Sequence, residues 1–220
     1  QRWTTFFVKT TEFERQNESK LLQSFLIFKF FARNNLGSIC INVEAYKIYI
    51  YAMAPFLSLR CLEQHKTATC LMNANVCSII TGIGLSYANS GPTHYSTEDL
   101  ACLRSLPNCS IYTASDPLSA KLIAKHTLKL NSPSFVRLDR KSGLDISNKI
   151  NKKDIQKGFR FLKKNTNSKI LIVSHGSIIL RPLEVYQDLS SKQKKTVDLI
   201  DLIRAKPFPK MLKNIMKKYD

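Results

Sequence analysis

The sequence predicts an α/β fold: a parallel sheet flanked by helices, followed by a truncated second α/β domain. Three observations predict it. From residue 47 onward, short β-branched or aromatic runs alternate with segments of helical apolar spacing, the pattern of a parallel sheet with crossover helices. The chain has 220 residues and is 44% hydrophobic, enough for one sizeable core, or one domain and a small second one. A second strand–helix–strand–helix series starts at Lys169 and stops after two strands, which leaves apolar faces uncovered.

Taken in order, residues 1–46 are poorly patterned. Trp3 to Phe13 and Leu21 to Phe31 both read as helices, and the second is apolar nearly all round, so it needs burial or a partner. Lys47–Ala54 is a β-branched and aromatic strand, ended by Pro55. Phe56–Met72 has helical spacing through Leu59, Leu62, Ala68 and Leu71. Val76–Thr81 is a short apolar strand, and a Gly/Ser/Asn-rich segment runs from Gly82 to Tyr95. Ser96 and Thr97, with Glu98 and Asp99, place hydroxyl caps and acids at the start of a helix reaching about Leu106.

Ser110–Ala114 is a strand, and Ser115-Asp116-Pro117 is a helix-start signature with Pro in the first turn. That helix extends to about Leu130, and Phe135–Leu138 is the next strand. Residues 141–168 are polar and Lys/Asn-rich and read as a linker, with one short element near Phe159–Leu162. Then come a strand at Lys169–Ser174, a helix at Ile178–Leu189, a strand at Thr196–Ile203 and a helix at Pro209–Lys218. The expected domains are therefore 1–140, with 1–46 diverged, a linker at 141–168, and a partial second domain at 169–220.

The net charge of +18 is uneven: residues 1–140 hold 15 basic against 9 acidic side chains, residues 141–220 hold 19 against 7. Such a tail could bind nucleic acid or an anionic membrane. The lysines lack the aromatic interleaving of a base-stacking surface, so a solvated basic face is the favoured reading. Six cysteines occur without a CxxC pair, inside apolar stretches; reduced, buried thiols and a cytoplasmic protein are expected, with no metal site. No run approaches a membrane span, and the start, Gln1-Arg2-Trp3, lacks a signal-peptide pattern and an initiator Met.

Four ordered blocks carry a family resemblance. Tyr51-Ala52-Met53-Ala54-Pro55-Phe56-Leu57-Ser58-Leu59-Arg60 forms a strand-to-helix junction. Gly91-Pro92-Thr93-His94 leads into Glu98-Asp99 and then Leu103-Arg104-Ser105-Leu106-Pro107-Asn108. Ser115-Asp116-Pro117 follows, and Phe135-Val136-Arg137-Leu138-Asp139-Arg140 closes the series. These blocks resemble the pyrimidine-binding domain of the transketolase family, a thiamine-diphosphate-binding fold. Lys169–Gly176 and Asp198–Pro207 resemble the first strands of that family's C-terminal domain. The variant resembled most is the C-terminal subunit of a two-chain transketolase.

The resemblance implies thiamine diphosphate held between two domains, one gripping diphosphate and Mg²⁺, the other the aminopyrimidine. It implies transfer of a two-carbon ketol unit between sugar phosphates or related sugars. The family's Gly-Asp-Gly diphosphate motif is not found, so a diphosphate-binding partner chain is expected to hold Mg²⁺. Homodimerisation through this domain is a further family expectation. Phe56, with Leu59 one turn on, is expected to pack on the aminopyrimidine. His94 is expected to contact substrate and move protons, Asn89 and Ser90 to touch a substrate hydroxyl, and Arg140 to grip a sugar phosphate.

His175 reads as structural and His126 as a solvated helix residue. The family's catalytic Glu has no counterpart: the nearest segment puts Arg33 in its place, and a cation cannot accept the ring proton. Two rival readings follow, a degenerate non-catalytic relative and a basic anion- or nucleic-acid-binding module.

Overall fold

The protein is described by a computed structural model covering residues 4–9, 27–28, 46–140, 146 and 150–219. Arg33, residues 10–13 of the first segment read as a helix, and all of the 21–43 stretch except residues 27–28 lie outside the described residues.

The centre is a seven-stranded sheet of order β10-β5-β6-β4-β3-β1-β2. Its strands are β1 (Thr4–Lys9), β2 (Ile27–Phe28), β3 (Tyr46–Met53), β4 (Val76–Thr81), β5 (Ser110–Thr113), β6 (Ser134–Leu138) and β10 (Arg204–Lys206). The four middle strands, β5, β6, β4 and β3, run parallel. Helices fill the crossovers: α1 (Ala54–Ser58), α2 (Leu62–Gln64) continuing as π-type turns over His65–Leu71, α3 (Asp99–Ser105) and α4 (Pro117–Thr127). One face of the sheet buries Ile48, Ile50, Leu57, Val76, Ile80, Leu103 and Phe135; the other buries Tyr49, Tyr112, Ile123 and Val136. Burial on both faces explains why these strands are continuously apolar rather than alternating.

The N-terminal segment differs from its sequence reading. Thr4–Lys9, expected inside a helix, is a strand paired antiparallel along β3, and Ile27–Phe28 pairs with β1 instead of lying in an apolar helix. The run TTFFVK is β-branched and aromatic, and the open edge of β3 supplies hydrogen-bond partners that an isolated short helix lacks.

Of the local signals after residue 47, the start of α4 holds as read. Asp116 caps α4: its carboxylate accepts from Ser119 N at 2.6 Å, and the Ser119 hydroxyl accepts from Asp116 N at 3.0 Å, with Pro117 in the first turn. The single helix expected over Phe56–Met72 is broken over Leu59–Cys61, between α1 and α2. The hydroxyl cap expected at Ser96 or Thr97 is not used; Glu98 occupies the cap without a side-chain bond.

The polar stretch read as a linker holds α5 (Lys152–Lys157) and β7 (Phe159–Lys163). Asn151 caps α5 through Lys153 N and Asp154 N, and Gly158 ends it at φ 90°. The left-handed turn and the crowding of Pro209 and Arg204 side chains leave room only for glycine there. β7 then makes the second unit a three-stranded sheet, β7-β9-β8, with β8 (Ile170–Ser174) and β9 (Val197–Leu202) parallel and β7 antiparallel to β9. A turn at Gly176–Ile179 leads into α6 (Leu180–Asp188), followed by α7 (Ser191–Lys194) and, after β10, α8 (Lys210–Met216).

The two sheets are stitched together. β10 leaves the second unit and pairs antiparallel with β5 of the first. A buried ion cluster also joins them: Arg160 on β7 donates to Asp116 at 2.7 Å and to Asp201 at 2.9 Å, and Ser115 donates to Asp201 at 2.6 Å. Burial opposes charge on Asp116, yet Arg160 and the Ser119 amide together hold its carboxyl below the usual range. Burial pushes the Asp201 carboxyl up despite Ser115 and Arg160.

Candidate functional site

In open parallel sheets, ligands sit beyond the carboxyl ends of the strands. Here those ends present α1 after β3, the Gly82–Tyr95 loop after β4, and Asp139-Arg140 after β6.

Phe56 lies in the first turn of α1, where Pro55 sets the turn immediately after the strand. It is 5% exposed. Its ring meets the edge of the His94 imidazole, centroids 5.3 Å apart at 73°. His94 in turn meets Tyr87 at 6.4 Å. The Arg60 guanidinium lies 4.5 Å over the Phe56 ring, and that of Arg140 lies 5.0 Å over the Tyr87 ring. The result is one ladder, Arg60–Phe56–His94–Tyr87–Arg140, running between two cations. Each cation faces the negative side of an aromatic quadrupole.

His94 sits at the end of a short turn over Pro92–His94, and its Nδ1 is 2.9 Å from the Thr93 hydroxyl. That bond orients the ring through Nδ1. The loop closes on itself because Gly82 takes φ 75° and the Tyr87 ring fills the space a Cβ would need. Asp139 anchors the loop from beneath. Its carboxylate accepts from the Ser86 hydroxyl at 2.6 Å, from the Arg140 amide at 2.6 Å, and from the Ser177 hydroxyl. Ser177 belongs to the second unit, so that unit reaches the base of the loop.

Behind the loop, Arg137 on β6 forms a two-pronged pair with Asp99, at 2.7 and 3.0 Å, and donates to Thr113 at 3.0 Å. Asp99, read as a helix-start acid, is thus mainly the buried partner of Arg137. His175 adjoins this pair; burial, then the Arg137 charge, lowers its pKa.

Of the expected site residues, Phe56 and His94 are brought into contact and Arg140 is joined to them through Tyr87. Leu59 is the half-buried cap residue of α1. Asn89 and Ser90 are exposed on the short turn Ala88–Ser90. His126 is not a solvated helix residue: it is half-buried, with Nε2 3.1 Å from the Tyr112 hydroxyl.

Tyr87, Arg60 and the Ser86–Asp139–Ser177 cluster escaped the sequence reading. Arg60 stands four residues after Phe56, the spacing that lets helical side chains meet, and that signal was present in the chain. Ser177 carried no such signal. Among the described residues no cluster of His, Cys, Asp and Glu can hold a metal ion.

The sheet and its flanking helices define an α/β domain built on a mostly parallel sheet. Residues 37–143 match the family described as transketolase, pyrimidine binding domain. The chain is 25% identical to transketolase-like protein 1 of Bos taurus over 198 residues, 89% of this chain and 32% of that one. It is 34% identical to one of the subunits of the apulose-4-phosphate transketolase of Actinobacillus succinogenes over 95 residues, 43% of this chain and 30% of that one. Among solved structures, a split-gene transketolase in the form of an inactive tetramer superposes with a TM-score of 0.64 at 23% identity, covering 76% of this chain and 53% of that one. Transketolase from Leishmania mexicana gives a TM-score of 0.64 at 16% identity, covering 75% of this chain and 24% of that one. The chain carries a transketolase-family pyrimidine-binding domain. It spans about a third of the length of the curated relatives it matches.

Proposed function

We propose that this chain is the pyrimidine-gripping subunit of a transketolase-type enzyme, acting with a second chain that holds the diphosphate and Mg²⁺. The observation that carries it is the Phe56–His94–Tyr87 ladder at the carboxyl edge of the parallel sheet. The likeness to one subunit of an apulose-4-phosphate transketolase and to a split-gene transketolase supports a multi-chain assembly.

The residues present fit the ring half of thiamine diphosphate: an aromatic face on Phe56, and polar groups converging beside it. Arg60, exposed on a flexible side chain, has to swing off the Phe56 ring for a flat heteroaromatic to stack there. When bound, the cofactor would supply a nucleophilic carbon for breaking and remaking a carbon–carbon bond. His94 would bind a substrate hydroxyl through Nε2 and pass its proton. Arg140 would offer its planar fork to a sugar phosphate, with Asp139 fixing its backbone. Leu59 would extend the apolar wall, and Asn89 and Ser90 would border the open side. Ketol transfer between sugar phosphates or related sugars is the reaction this set serves.

One observation favours a second reading, a non-catalytic family member. Arg60 covers the aromatic face that the cofactor would use. Calorimetric titration of thiamine diphosphate and Mg²⁺, with the chain alone and with a diphosphate-domain partner, separates the two readings. Binding that requires the partner and is lost at least tenfold in Phe56→Leu supports the catalytic reading. Absence of binding in both settings, on a chain shown to be folded, leaves the non-catalytic one.

A further inference from the structure

At the opposite end of the strands from the ladder, two buried cysteines share one packed cluster. Cys70 lies in the last π-type turn before β4 and is fully buried; Cys109 immediately precedes β5 and is 6% exposed. Both belong to the same apolar cluster, with Leu103 and Leu106. Asn108 ties the two segments together by donating from its side-chain amide to the Cys70 carbonyl at 3.3 Å. Asn108 takes φ 51°, a left-handed conformation that turns Cys109 inward beside Cys70. Each thiol is the largest influence on the other's titration, as their shared packing cluster allows.

Lys206 on β10 closes the third side. Its ammonium donates to the Arg104 carbonyl at 2.8 Å and to that of Leu106. The Cys109 sulfur lies 3.6 Å from the Leu106 carbonyl and 4.0 Å from that of Leu103. Carbonyls alone would favour a protonated thiol; the neighbouring thiol and the Lys206 charge reverse that. The Cys70 thiol holds the Cys109 thiol below its ordinary range, with Lys206 adding to it, and the same pairing pushes Cys70 up. The remaining described cysteines lack this arrangement: Cys61 and Cys77 are buried with raised pKa, and Cys102 is half-buried on α3.

We propose that Cys70 and Cys109 form an oxidisable dithiol site, with Cys109 the attacking sulfur and Cys70 the resolving one, that closes to a disulfide with hydrogen peroxide as oxidant. The Cys109 thiolate attacks one peroxide oxygen, the O–O bond breaks, and the departing hydroxide takes up the thiol's proton to give water. The sulfenic acid so formed is attacked by the Cys70 sulfur. The S–S bond forms, the S–O bond breaks, and the hydroxyl leaves with the Cys70 proton as a second water. Two electrons pass from the two sulfurs to peroxide. Peroxide suits the site because it is small enough to reach a nearly buried thiol. The bond would close a loop over residues 71–108, which contains β4, the Tyr87–His94 loop and α3. Oxidation would thus brace the segment that carries Tyr87 and His94 of the ladder.

The test uses the full chain, treated with graded hydrogen peroxide, alkylated, digested without reductant and mapped by mass spectrometry. The expected result is a peptide pair linked through Cys70 and Cys109, a thermal midpoint raised by roughly 5–15 °C over the reduced chain, and reversal by dithiothreitol. In Cys70→Ser the sulfenic acid on Cys109 should persist and be trapped by dimedone. In Lys206→Met the linkage should form severalfold more slowly, while Cys102→Ser should leave its rate unchanged. Peroxide uptake on Cys102 or Cys61 with no Cys70–Cys109 peptide from the native chain overturns the proposal. So does an unchanged linkage rate in a folded Lys206→Met for the part assigned to Lys206.

Discussion

The two sheets begin from similar strands and end in different environments. β4 reads VCSIIT and β8 reads ILIVS. All of β4 but Ile79 is buried, whereas Ile170 and Val173 of β8 are 54% and 36% exposed. β4 lies between two parallel neighbours with helices over both faces; β8 is an edge strand with one neighbour. Ile178 and Val185, on the turn and helix that follow β8, are also more than half exposed. An apolar strand is therefore buried by what flanks it, and composition alone does not separate the two cases. The second unit holds its place through polar anchors instead: the Arg160 cluster, β10 added beside β5, and Ser177 on Asp139.

The largest effect should come from cutting that anchor. Arg160→Leu strands two buried carboxylates, Asp116 and Asp201, and should cost about 3–5 kcal/mol of stability. Denaturant unfolding followed by near-ultraviolet and far-ultraviolet signals is the measurement. If the second unit depends on the seam, the variant's two signals separate; coincident transitions with a small loss would show the units to be equally self-supporting.

A middle-sized effect belongs to the first sheet alone. Lys47 is fully buried at the start of β3, and its ammonium donates to the Leu130 and Ser132 carbonyls at 2.9 and 3.1 Å. Burial lowers its pKa to about 8. Between that value and the unfolded lysine's usual 10.4 or so, the unfolded chain binds more protons than the folded one, so stability rises with pH across the window. The gain approaches about 3 kcal/mol by its upper end. Lys47→Met should flatten that slope in urea midpoints measured from pH 7 to 10.5. A slope unchanged by the substitution would assign it elsewhere.

The smallest effect lies on the second unit's surface. Arg181 and Glu184 pair at 2.9 Å on α6 with both side chains mostly exposed. Arg181→Ala should shift stability by less than about 0.5 kcal/mol, falling further in 0.5 M salt. A loss above about 1 kcal/mol would mean that α6 is anchored more firmly than its exposure indicates.

Much of the candidate site's geometry was legible because its signals are short-range. Pro55 fixes where the strand stops and so where Phe56 points. Gly91-Pro92 sets the turn that carries His94, and Asp116-Pro117 announces α4. Ser177 was illegible because its partner Asp139 is 38 residues earlier on another sheet. Asp99 was half legible: its place at a helix start was visible, its partner on β6 was not. Thr4–Lys9 was misread because a short strand and a short helix can share the same apolar residues, and only the hydrogen-bonding edge of β3 decides between them.

By itself, the sequence determined the strand–helix alternation from residue 47, the α4 cap, the aromatic-and-histidine pair of the candidate site and the family they resemble, because each rests on short-range signals. Tertiary structure alone decided that β10 joins the first sheet, that Arg160 bridges both units, that Tyr87 completes the ladder and that Cys70 packs in one cluster with Cys109. Except for the step from Tyr87 to His94, those contacts join residues far more distant along the chain than any turn of helix or hairpin. Which partner wins is settled by the burial of charge and apolar surface when the sheets close on each other.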